Sequence, residues 1–483
     1  HPTDNVDSPR CVDCHMPAVQ KSGVEYDIHS HTFEVMEPEG TLELGIPNSC
    51  AINCHRSDEN GEGAVDLDVT NWTEDSDVTI AEWLDDAMDD IGDMLDEEPP
   101  EEEMLWAELS ILGISPRMIA ESPDDPFDEA SSGLKAVGIG DKVYLQGEPV
   151  DDAPVSGYKW QVMSMPTGST ANVSDAMGEL TTFRPDVAGL YEVMMTALDE
   201  EGIDAQQIRQ TIYAGNWIGA GVFNTHEETI PRAGQCAAVW CHGGDNPNEA
   251  MNVTDEWVQS NHAQVLQLHT GGQRSDHYGV YCMDCHTVGF NANEAAVNGG
   301  FDDIADDIEY DLHGIVELVE IAGTHGTDQW PNVPAELQGH ASVQCESCHG
   351  MGQMHPSNMA AADKGIDGVN YDTEQCARCH DSASGYQQGY YQWTGSGHAH
   401  DPARSTGSCA PCHTAEGFVT ETVNGEEDPD YPAAEEMHGI TCAACHDPHF
   451  DENPHQLRIV GDFTFNGGQV FTDAGLGGLC MNC

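Results

Sequence analysis

Eight times in this chain a histidine stands directly after the second cysteine of a close pair. Six of these have the spacing C-x-x-C-H: Cys11, Cys14, His15; Cys282, Cys285, His286; Cys345, Cys348, His349; Cys376, Cys379, His380; Cys409, Cys412, His413; and Cys442, Cys445, His446. Two are stretched, with Cys50 and Cys54 before His55, and Cys236 and Cys241 before His242. A ninth pair, Cys480 and Cys483, ends the sequence and accounts for the last of the 18 cysteines. Two thiols followed at once by an imidazole are the attachment signature of c-type haem. The thiols add across the vinyl groups, and the imidazole takes the iron as proximal ligand. Zinc knuckles and disulfides are the competing readings, and neither requires a histidine at that position. In the stretched pairs the extra residues can bulge out as a loop, with a disulfide as the alternative.

About nine covalent haems are therefore expected, and each iron needs a second ligand. Eight of the 24 histidines are proximal, which leaves enough for bis-histidine ligation throughout, and hence low potentials. Met/His ligation is the alternative, but the methionines sit mostly in apolar or acidic helical contexts and read as core filler. Candidate distal ligands are His31, His226, His262, His277, His340, His355, His398, His438 and His449. His1, His29, His269, His313, His325, His400 and His455 read at least as well as surface or propionate-bonding residues. No catalytic residue is expected.

Three regions must position these groups. Residues 1–125 hold two haem motifs and an amphipathic helix, in which Ile80, Trp83, Leu84, Met88, Ile91, Met94 and Leu95 form one apolar stripe. Thr79 and Glu82 make a capping box at its start. Residues 134–213 contain neither Cys nor His and alternate with period two between turn signals. Tyr158, Trp160 and Val162 fall on one strand face, and Tyr191, Val193, Met195 and Ala197 on another. Residues 215–483 carry the other seven pairs, at roughly 35 residues per pair from Cys236 onward. At that density haem faces are expected to supply the core, joined by loops and short helices.

The totals exclude some partners. With 15 basic and 86 acidic residues the net charge is −71, so nucleic acid and anionic membrane surfaces find no basic cluster to bind. The charge is spread along a chain that is 39% hydrophobic, which argues for a folded protein with an acidic coat suited to strong salt. A docking surface for a basic partner is the alternative. A halophilic or haloalkaliphilic source is the accompanying expectation. No run of 18 apolar residues is present, so no membrane span is expected.

Two resemblances add to this. The segment DVAGLY resembles the tyrosine corner of immunoglobulin-like sandwiches, with Tyr191 as the corner residue, and 134–213 looks like a PKD or immunoglobulin-like module. Spacing or adhesion is its expected role, with carbohydrate binding the alternative. GHASVQCESCHG, CAPCHTAEGF, HGITCAACHDPH and HQLR resemble phrases of multihaem c-type cytochromes of respiratory and extracellular electron transfer. That resemblance implies a multihaem cytochrome fold, mostly loops and short α-helices around stacked haems, plus one immunoglobulin-like β-sandwich. It also implies that CMNC is followed by His and then by a CVxCHMP motif. The chain has CVDCHMP near its start instead, so a piece of a longer or tandemly repeated chain is expected.

The function these features imply is long-range electron transfer at an extracellular or cell-surface location, since thioether attachment occurs outside the cytoplasm. Expected partners are other redox proteins or extracellular acceptors, with self-association into a filament. The alternative is a multihaem reductase of nitrite, hydroxylamine or tetrathionate type with one open haem. Against it, there is no C-x-x-C-K motif and little lysine for an anion pocket.

Overall fold

The computed structural model describes residues 18–20, 28–29, 107–122, 126–150, 153–220, 236–237, 242, 253–355, 365–367, 371–382, 387–399, 409–426, 429, 431–433, 437–450, 453, 455–461, 463–464, 470–472 and 475–482. Several expectations lie outside these residues: Cys11, Cys14, His15, His31, Cys50, Cys54, His55, the acidic helix, His226, Cys241 and Cys483.

Short strands β1 (Ala18–Gln20) and β2 (Ile28–His29) pair antiparallel. The alternating region then builds two four-stranded sheets. One contains β3 (Ala107–Ile114), β4 (Ser131–Ser132), β6 (Val143–Pro149) and β8 (Leu180–Phe183), in the order β4-β3-β6-β8. The other contains β5 (Ala136–Gly138), β7 (Gly157–Ser164), β9 (Gly189–Leu198) and β10 (Asp204–Gly215), in the order β5-β10-β9-β7. Only the β5–β10 pairing in these two sheets is parallel.

Period-two patterning decides which side chains meet. Tyr158 and Trp160 of β7 and Tyr191, Val193, Met195 and Ala197 of β9 face Ala107, Val143, Leu145 and Phe183 of the first sheet in one core. Each large side chain buried this fully contributes about 1.5–3 kcal/mol of transfer free energy. Phe183 meets Tyr191 edge-on at 5.2 Å. The Tyr191 hydroxyl donates to Val187 O at 2.8 Å and accepts from Val187 N at 3.0 Å, pinning the chain four residues upstream. The paired strands begin at Ala107, ahead of position 134 where the alternation is visible. The run AELSILGI has no clean period two, because residues 109–112 of β3 are only half-buried.

Beyond β10 the described residues form mostly short helices, with one short antiparallel strand pair, Phe463–Thr464 with Val470–Phe471, and the longest helix among them is His313–His325. The expectation that haem faces supply the core is corrected in part here. Leu266, Met283, Phe301, Ala305, Ile315, Val319, Trp330, Leu337 and neighbours form a conventional apolar core. The mean spacing concealed this. Residues 286–344 hold no cysteine, so that stretch is long enough to bury a core of its own.

The sandwich is docked onto the helical part. Ala136 and Tyr213 share a small cluster with Trp217, Val288 and Met351. Gly113 of β3 lies flush on the helix Glu374–His380: a Cβ there would stand 2.2 Å from Glu374 Cβ. Gly350 has φ of +80°, and a Cβ on it would stand 2.2 Å from Ala136 O. Among the described residues no helix is long and apolar enough to cross a membrane.

Candidate functional site

Every standard motif within the described residues lies on a short helix. These are Met283–His286 after the turn Val280–Cys282, Cys345–His349, Glu374–His380, Ala410–His413 and Cys442–Cys445. Helical residues three apart share a face about 5–6 Å apart, so each C-x-x-C presents two thiols side by side, with the histidine next round the turn. Sequence ends two of these helices locally. Thr287 Oγ1 donates to Met283 O at 2.6 Å, and Thr414 Oγ1 to Ala410 O at 2.9 Å. Among the described cysteines, Cys236, Cys282, Cys285, Cys345, Cys348, Cys376, Cys379, Cys409, Cys412, Cys442, Cys445 and Cys480, none is joined in a disulfide.

Motifs far apart in sequence meet in space. Cys285 lies beside Cys379, Cys345 beside Cys236, and Cys376 beside Cys442. In each pair the neighbouring sulfur, then burial, pushes the first-named thiol well above the usual range. The same contact lowers Cys236, while burial raises Cys348 to about 12. The raised thiols stay protonated near neutrality in the metal-free chain. Among the described residues no group of three or more His, Cys, Asp or Glu is close enough to hold a metal ion. A haem iron asks the chain for only two axial side chains.

The variable positions of two motifs also bond. Arg378 of CARCH pairs with Asp284 of CMDCH at 3.1 Å, and Cys285 Sγ donates to Arg378 O at 3.8 Å. Nothing at the sequence level marks this ion pair, because the x positions carry no motif information.

The histidines share one hydrogen-bonding habit. Nδ1 donates to Asp367 O from His349 (2.9 Å), to His455 O from His446 (2.8 Å) and to Ser275 O from His269 (3.0 Å). His380 Nδ1 meets Gln387 Oε1 at 3.2 Å, and His449 Nδ1 meets Asp447 Oδ1 at 3.1 Å. A proton fixed on Nδ1 puts the lone pair on Nε2, which is how metal-ligating histidines are usually oriented. Burial also keeps the rings neutral. It lowers His262 and His286 to about 4, each helped by a neighbouring imidazole, and lowers His269, His340, His380 and His446 as well.

Three ring pairs stand out. His349 and His449 have centroids 6.2 Å apart with planes 10° from parallel. His262 and His380 are 6.1 Å apart at 74°, and His269 and His286 are 5.5 Å apart at 29°. His269 had no motif to recommend it. A signal was nevertheless present: it lies seven residues after His262 on the helix Asn261–Thr270, two turns along the same face.

Other distal candidates are placed differently. His438 donates from Nδ1 to Glu416 Oε1 (2.6 Å) and from Nε2 to Asp372 Oδ1 (2.9 Å). Those carboxylates, Asp372 foremost, push it up to about 10, so it stands as a cation with both nitrogens engaged. Neither ring nitrogen of buried His340 completes a hydrogen bond of normal geometry. His277 is exposed, the His355 backbone N–H closes a turn onto Gly352 O, and His398 lies on the turn Gly397–Ala399. His242 caps the next helix through its carbonyl, which accepts from Thr254 Oγ1 at 2.6 Å. His413 and Cys480 are exposed.

The sandwich reaches the same groups. Asp381, directly after His380, accepts from Ser115 Oγ and Arg117 Nε, each at 2.7 Å. The Asp367 carboxylate accepts from Ala136 N at 3.1 Å, while its own carbonyl holds His349 Nδ1.

No family model matches the chain, and no curated protein matches it. Among solved structures it is similar to the solution structure of the PKD domain from KIAA 1837 protein. Sequence identity is 20%, the TM-score is 0.15, and the match covers 18% of this chain and 90% of that one.

Proposed function

We propose that this chain is a multihaem c-type cytochrome that carries electrons through about nine covalently attached haems. The observation that carries this reading is the set of cysteine pairs on short helices, with motif histidines and their neighbours directing Nδ1 at an oxygen. Those residue types fit the group. The cysteine pairs would hold the macrocycles, with His242, His286, His349, His380, His413 and His446 as proximal ligands among the described residues. When bound, each haem supplies a one-electron couple. With a second imidazole on each iron the chain leaves no coordination position for a substrate, so its role is conduction rather than catalysis.

An extracellular or cell-surface location follows from thioether attachment. The acidic coat suits redox partners, extracellular acceptors or further copies of this chain in a filament, rather than polyanions. The two-sheet unit is best described as an immunoglobulin-like sandwich of PKD type, on the strength of its shared core and the Tyr191 corner.

The test is spectroscopy of native protein. Haem resistant to acid-acetone extraction, with low-spin ferric signals throughout, is expected. Haem-free protein carrying stoichiometric zinc would overturn the reading, and a high-spin ferric signal at rest would favour the reductase instead.

A further inference from the structure

We infer that Glu346, the first variable residue of CESCH, is a buried anion that holds the haem attached at Cys345 and Cys348 at low potential. This inference rests on the electron-carrier reading and goes beyond it by naming a residue that tunes one haem.

Burial is the first argument. Glu346 is 1% exposed, and carboxylates are rarely buried this fully without a paired charge. Its partners are backbone N–H groups rather than a cation. Oε1 accepts from Ile218 N at 3.1 Å and from Gly352 N. Oε2 accepts from Gly219 N at 2.6 Å and from Ile218 N at 3.1 Å. Burial pushes the carboxyl up from its ordinary value, and these N–H groups oppose it. With two donors on each oxygen, the surroundings are arranged for the ionised form.

Construction is the second. Ile218 and Gly219 follow β10 of the sandwich, and Gly352 follows the helix Cys345–His349. Gly219 has φ of +68°, and a Cβ on it would stand 2.5 Å from Gly339 O. A Cβ on Gly352 would stand 3.1 Å from Glu346 Oε1, so glycine lets that N–H approach. Two residues earlier, Gln344 Oε1 accepts from Ala220 N at 2.6 Å along the same seam. A neutral side chain therefore suffices to bind this segment, and packing alone leaves the charge at 346 unexplained. Arg378 of CARCH differs, because Asp284 stands against it at 3.1 Å as a counter-charge.

Reach is the third. Glu346 directly follows Cys345 and precedes His349 by three residues, within one helical turn of the whole motif. Its charge is felt there. The Cys236 sulfur, then burial, then the Glu346 carboxylate push the Cys345 thiol well above its usual range. Salt screens buried charges poorly. Ferric haem carries one more positive charge than ferrous haem, so a fixed anion nearby favours the ferric form and lowers the potential.

Native full-length chain carrying Glu346→Gln tests this, with exposed Glu336→Gln as the control and Glu346→Asp to separate charge from fit. Intact mass counts the covalent haems, spectroelectrochemical titration resolves their potentials, and NMR assigns the one that moves. Glu346→Gln should keep the wild-type haem number and raise only the haem on Cys345 and Cys348. Its ferric–ferrous equilibrium should shift about tenfold, or about 59 mV. The control should move none. Glu346→Asp keeps the charge but shortens the reach, so it should unfold at lower urea while that potential stays near wild type. Unchanged potentials in a fully loaded Glu346→Gln chain, or a shift at another haem instead, would overturn the inference. If Glu346→Gln arrives without that haem, Glu346→Asp decides: a potential near wild type supports the role of charge, and a raised one overturns it. Absence of covalent haem from wild-type protein would sink the carrier reading itself.

Discussion

Asp302 illustrates how burial sets the behaviour of single groups in so acidic a chain. It opens the helix Phe301–Asp307, accepts from Asn291 N at 3.2 Å, and is pushed up to about 6 by burial. The folded state therefore holds this proton more tightly than the unfolded state does. The stability it contributes is complete below the ordinary carboxyl value near 3.8 and is lost as pH rises through about 6. Asp302→Asn should accordingly stabilise the protein at pH 7 by on the order of 1 kcal/mol, once solvent screening is allowed for, and do nothing at pH 3.5. Thermal melts of both chains across that range check it, and equal melting temperatures at pH 7 would refute it.

Between elements, the contact that matters most is the sandwich against the helix Glu374–His380. Arg117 and Asp381 are both buried there, at 11% and 3% side-chain exposure, so removing Arg117 leaves the Asp381 carboxylate without its counter-charge and with Ser115 Oγ as its side-chain donor. Arg117→Ala should destabilise the chain by about 3–5 kcal/mol, and Asp381→Asn on top of it should return much of that loss. A double-mutant cycle from urea unfolding measures the coupling; a loss under about 1 kcal/mol for the single variant would mean this pair does not hold the docking. The sandwich is thereby anchored beside His380 and, through Asp367, beside His349. No pattern could disclose this, because Arg117 and Asp381 lie 264 residues apart.

For the whole molecule, self-repulsion dominates. A net charge of −71 destabilises any compact state unless salt screens it. The Debye length falls from about 10 Å at 0.1 M salt to about 3 Å at 1 M, so the melting temperature should climb steadily over that range at neutral pH. A flat or falling curve would contradict the reading of the acidic coat as an adaptation to strong salt.

What could be read from sequence was whatever is local or periodic. The C-x-x-C-H spacing marks helical turns that present two thiols and an imidazole together, and all five standard motifs within the described residues are helical. Period two placed Tyr158, Trp160, Tyr191, Val193, Met195 and Ala197 in the sandwich core, and DVAGLY marked the corner at Tyr191. The apolar core around Leu266 and Phe301, the strand at Ala107, the Arg378–Asp284 pair and the proximity of His269 to His286 were decided by tertiary structure alone. Each of these depends on which distant segments pack together, and packing partners leave no trace in the order of residues along one chain.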